Sequence, residues 1–105
     1  MSPFDPGNNS TIAQANAITS AGGALPDTAS TVVLTNTSAT ATAYFTYLRG
    51  QTAATAIIPV GGTLGSMPIL PRQQIRITVN TGPKTYATIA DAADGALLIT
   101  PGDGN

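Results

Sequence analysis

Nine side chains carry charge in this chain, and they bound the chemistry it can perform. Five are aspartates: Asp5, Asp27, Asp91, Asp94 and Asp103. Glutamate, histidine and cysteine are absent. Triads of the Ser-His-Asp or Cys-His kind are therefore excluded, because the base is missing. A zinc site built on His or Cys is excluded in the same way. Glycoside hydrolysis needs two carboxylates set across a cleft. Asp91 and Asp94 are close in sequence, but "DAADG" reads as a turn, where aspartates commonly bond their own backbone. The same stretch could offer oxygens to calcium, yet it lacks the twelve-residue loop ending in Glu. "GGTLG" lacks the Lys-Ser/Thr of a phosphate-cradling loop and reads as a hairpin loop. No catalytic, cofactor-binding or metal-ligating residue is assigned, and the chain is not expected to be an enzyme.

The cations are Arg49, Arg72, Arg76 and Lys84. Two of them fall in "MPILPRQQIRITV", residues 67–79. Parity there is clear: Ile75, Ile77 and Val79 point one way, and Gln74, Arg76 and Thr78 the other. Arg76 is thus expected on the wet face of a half-buried strand, where a cation discourages unwanted edge pairing. An ion pair between subunits is the competing reading. With four cations against five anions, the chain cannot neutralise phosphates in number, so nucleic acid is not an expected partner.

Only 9% of the 105 residues are charged, against about 25% in an ordinary soluble domain. The net charge of −1 gives little self-repulsion, which suits a subunit that packs against neighbours. Alanine supplies 17 residues of the hydrophobic fraction and Trp is missing, so the core is expected to be thin. No apolar run is long enough to cross a membrane as a helix, and no membrane partner is expected. "MSPFDPGNNS" lacks the basic and apolar regions of a secretory signal, so folding in a cytoplasm is expected.

Threonine is as abundant as alanine, and its branched Cβ favours strands. Eight Pro and eleven Gly cut the chain into pieces too short for helices. An all-β fold follows: an antiparallel β-sandwich of about seven or eight strands, with a jelly roll as one closure. Residues 1–30 are poor in large side chains and read as an extended N-terminal arm, leaving 31–105 as the sandwich. Within the arm, residues 13–20 suit a first strand or a short helix, and Gly22-Gly23 breaks the pattern. Strands are expected at 31–37, 42–49 and 52–60, with a short extended "PIL" after them. Gly82-Pro83 and Asp94-Gly95 then read as hairpin turns, making the last third a three-stranded meander.

The strand "TAYFTYLR" is two-sided. Tyr44, Thr46 and Leu48 share one face; Phe45, Tyr47 and Arg49 share the other. Such a strand is either covered on both faces or meets another chain on one. "LLI" at 97–99 has the same character, which places the final strand beside it. The residues proposed for protein contacts are Phe4, Ile12 and Ile18 in the arm, with Tyr44, Phe45, Tyr47, Arg72 and Arg76 in the sandwich.

Three stretches carry a family resemblance. "VVLTNTSATATAYFTYLRG" resembles the opening strand–Asn–Ser/Thr–strand of small head-associated proteins of tailed bacteriophages. "MPILPRQQIRITV" resembles their P-I-x-P-G entry into a strand, with Arg72 where Gly is expected. "TYATIADAADGALLITPGDGN" resembles their closing strand, hairpin and T-P-G-[DE]-G tail. The resemblance implies a virion structural protein that decorates or cements the capsid surface. It implies the major capsid protein and further copies of the chain as partners, as a homotrimer or a dimer, and no cofactor. Two other virion roles fit the same composition. One is a fibre or receptor/glycan-binding sandwich using Tyr44 or Tyr47 as a stacking platform; the other is a head–tail or tail-tube subunit.

Overall fold

The computed structural model describes residues 5–6 and 10–103, and among them it is all strand and loop. The strands are β1 (Asp5–Pro6), β2 (Ile12–Ala15), β3 (Ala21–Leu25), β4 (Thr31–Asn36), β5 (Ala43–Arg49), β6 (Met67–Ile69), β7 (Gln74–Thr78), β8 (Lys84–Ala90) and β9 (Ala96–Asp103). β1 and β2 both pair with β9, so they share one edge place. The first sheet runs β1/β2-β9-β4-β7 and the second β3-β8-β5-β6, with every pairing antiparallel. From β2 onward the chain changes sheet at each step except between β5 and β6. This wrapped order is that of an eight-stranded jelly roll.

The hydrophobic pattern explains the layering. In β4, Val32, Leu34 and Asn36 turn inward; in β9, Leu97 and Ile99 do. Ala43 and Phe45 of β5 meet them from the other sheet, with Ile69, Leu25 and Tyr86. Phe45 and Tyr86 stack with ring centroids 6.2 Å apart. Tyr86 Oη reaches Gln14 Oε1 on β2, a 3.0 Å bond that ties the two sheets together. Burial raises the pKa of this phenol above its ordinary value.

Four expectations from the sequence are corrected. The sandwich does not start at residue 31: β2 and β3 hold edge places in both sheets. Gly22 and Gly23 do not break a strand but lie within β3. A Cβ at Gly22 would stand 1.9 Å from the Tyr86 carbonyl oxygen, and one at Gly23 would meet the Tyr86 ring at 3.6 Å. The missing Cβ at Gly22 lets β3 lie close on β8, whereas position 23 has room for an ordinary contact with the ring. The last three strands are not a meander, because β8 belongs to the opposite sheet from β7 and β9. Gly82-Pro83 and Asp94-Gly95 are therefore corners between sheets. For the same reason β9 lies beside β4 and β2, not beside β5.

Residues 50–66, expected to carry a strand at 52–60, form a long connection instead. It is fastened at Thr52, whose carbonyl accepts from Thr85 Oγ1 (2.7 Å), and at Ala56, whose N–H donates to Ser20 Oγ (2.9 Å). Beyond Ala56 it pinches into a hairpin. Ser66 N–H donates to the Ile57 carbonyl (2.7 Å) and Thr63 N–H to the Val60 carbonyl (2.9 Å). Gly61 and Gly62 at the tip both have positive φ, 58° and 84°, which suits a two-residue turn of the primed kind.

Candidate interaction surface

A network of amide and carboxylate groups fixes one end of the sandwich. Asn36, at the end of β4, is 1% exposed. Its Nδ2 donates to the carbonyls of Ala41 (2.8 Å), Ile69 (3.0 Å) and Leu70 (3.3 Å). Its Oδ1 accepts from Asn16 Nδ2 (3.2 Å) and from the Ser38 N–H (3.1 Å). One side chain thereby joins the β2 end, the β4–β5 crossing and the β6–β7 turn. The two aspartates of "DAADG" serve the same crossing. Asp94 Oδ2 accepts from Ser38 Oγ (2.5 Å) and Thr40 Oγ1 (2.9 Å), and Asp91 Oδ1 accepts from the Thr42 N–H (2.9 Å). Their carboxylates were expected to bond their own turn; they bond across to another loop.

Those hydroxyl donors, Ser38 first and Thr40 second, hold the Asp94 carboxyl below its ordinary pKa, with burial opposing them. A carboxyl whose pKa is lower folded than unfolded adds stability above its unfolded value of 3.8 and loses it as pH falls through the folded value. Melting temperature should therefore drop on acidification in that range, and Asp94→Asn should flatten the drop. Calorimetric scans of both proteins from about pH 6 to about pH 2.5 check this. Parallel curves would show that Asp94 does not set the acid sensitivity.

Lys84 is 2% exposed, with Nζ donating to the carbonyls of Pro26 (3.0 Å) and Gly82 (3.1 Å). Burial lowers its pKa, and the Asp27 carboxylate opposes that. It clamps the corner before β8 to the corner after β3, alongside the Gly82 N–H to Asp27 carbonyl bond (2.7 Å).

The residues proposed for contacts scatter. Phe4 lies outside the described residues. Ile12 and Tyr47 are partly buried and pack against the core. Phe45 is 2% exposed and belongs to the core outright, so it is withdrawn as a contact residue. It faces inward because it shares the core-facing side of β5 with Ala43, against the side chains of the opposite sheet. Tyr44 is half-buried on the outer face of the same strand, while Ile18 is 68% exposed between β2 and β3. Arg76 lies on the exposed face of β7, where parity placed it. Arg72 is exposed in the β6–β7 turn with φ of 59°, the left-handed conformation that a Gly would take most easily.

The sequence reading missed a different surface. Ile57, Val60, Leu64 and Leu70 are 54, 66, 94 and 55% exposed, and Met67 is exposed beside them. Ile57, Val60 and Leu64 lie on the hairpin at 57–66 and Met67 follows it directly, while Leu70 stands at the far end of β6. The signal was present: residues 51–71 contain no charged side chain and centre on Gly-Gly. Among the described residues, no group of three acidic side chains is placed to hold a metal. Fold and surface together define a small jelly-roll domain that presents an apolar, uncharged projection. No family model, curated protein or solved structure matches the chain.

Proposed function

We propose that the chain is a virion structural protein that decorates the capsid of a tailed bacteriophage and stabilises it through protein–protein contacts. The observation that carries the reading is the exposed apolar hairpin at 57–66, with Leu64 94% exposed. Large apolar side chains exposed together along one short hairpin mark an interaction site. Low charge, the jelly-roll fold and the resemblance of residues 31–105 point the same way. In this role the chain contacts the major capsid protein and further copies of itself at the virion surface. A ligand that binds only the assembled shell stabilises it by RT ln(1 + [L]/Kd) at each site.

Removing residues 1–20 is not a clean test of an arm, because it strips β1 and β2 from the first sheet. The better experiment adds the purified chain to heads assembled without it and separates them on a density gradient. Saturable retention at a fixed number of copies per head is expected. Absence from the head fraction at all concentrations would refute the reading.

A further inference from the structure

The hairpin at 57–66 adjoins a groove in its own domain. β6 covers β5 only from Ala43 to Phe45, so beyond Phe45 that edge of β5 has no partner strand among the described residues. Across the gap, β7 is the edge strand of the other sheet and pairs only with β4. Between them lies a groove of about 320 Å³ lined by Phe45, Tyr47, Gly65, Met67, Ile77 and Thr78. Its walls are mainly apolar, and none of its lining residues is charged. Gly65, in the returning arm of the hairpin, forms one side of it. An apolar projection and an apolar recess thus stand next to each other on one face.

We infer that this face is a two-fold interface, in which the hairpin of each copy seats Leu64 and Val60 in the groove of a second copy. Adjacency is the first reason. A projection and a recess side by side can be exchanged reciprocally, and a two-fold contact repeats each of them. Charge is the second. Neither the projection nor the recess is charged, so nothing repels a like surface, whereas a strongly charged partner would find no counter-charge between residues 51 and 71. Size is the third. A recess of this volume sits at the lower limit of small-molecule sites, about 300–1,000 Å³, and suits one or two aliphatic side chains better than a ligand.

The contact requires no shell, so the purified full chain tests it independently of the capsid reading. Sedimentation velocity over a concentration series should show a reversible dimer. Leu64→Asp should weaken it about thirtyfold or more, the effect of losing an interface anchor. Leu64 is 94% exposed, so the melting temperature of the dilute monomer should not change. Because the chain has no cysteine, Leu64→Cys and Thr78→Cys proteins can be mixed and oxidised; a heterodimer joined by a disulfide is expected. A strictly monomeric wild type would overturn the inference. So would a dimer that Leu64→Asp leaves intact, since association would then use another surface.

Discussion

Replacing Asn36 by Ala is expected to destabilise the fold by about 4 kcal/mol, a large effect for one polar side chain. The loss is not one hydrogen bond. It leaves the Ala41, Ile69 and Leu70 carbonyls, the Ser38 N–H and the Asn16 amide short of a partner they have in the native state. Each such buried group costs about 1–3 kcal/mol when unsatisfied, offset where water enters the space left behind. Asn36→Asp should be about as harmful although it keeps the shape, because a carboxylate has no N–H to give those carbonyls. Urea unfolding followed by circular dichroism measures both. A native domain has only about 5–15 kcal/mol in total, so either variant should lose a large share of its stability. A change below about 1 kcal/mol would show that this end of the sandwich does not depend on Asn36.

Phe45→Ala should cost about 3–5 kcal/mol. Phe45 is among the largest fully buried side chains, and its ring stacks on Tyr86 between the two sheets. It packs in one cluster with Leu25, Val32, Leu34, Ile69, Leu97 and Ile99, so removing the ring strips contacts from both sheets at once. Phe45→Leu removes less volume and should cost about 1 kcal/mol. In both cases the urea midpoint should shift with the slope of the transition preserved, which marks a loss of stability and not a change in the unfolded state. Equal effects for Ala and Leu would show that ring packing is not what holds the sheets together.

Local pattern was legible in the sequence wherever one face of a strand is buried. The alternation in β7 placed Ile75 and Ile77 inward and Arg76 outward, and the structure agrees. β4 and β5 fall within one residue of their expected ends. Sheet membership was not legible. Asp94-Gly95 and Gly82-Pro83 have the same local chemistry at a corner between sheets as in a hairpin, and only tertiary packing distinguishes the two. Glycine misled in the same way: Gly22 and Gly23 have no side chain to announce a strand, yet the close approach of the Tyr86 backbone on β8 requires a glycine at 22. The Asn36 network joins residues 16 to 94 in sequence, so no spacing rule could reveal it. The two-sided character of "TAYFTYLR" drew attention to Phe45 as a contact residue, but Phe45 lies on the core-facing side with Ala43, and Tyr44 and Leu48 carry the outer one. The surface that stands out for binding lay in a stretch read as strand and loop.

Heat release of packaged heads, with and without added chain, measures capsid stabilisation directly. The midpoint of shell opening should rise with the logarithm of chain concentration once the sites begin to fill, as binding to the closed shell alone requires. Leu64→Asp should need higher concentrations for the same rise if self-contact supports retention. A midpoint that stays fixed while the chain is demonstrably folded and in excess would contradict the capsid-stabilising role.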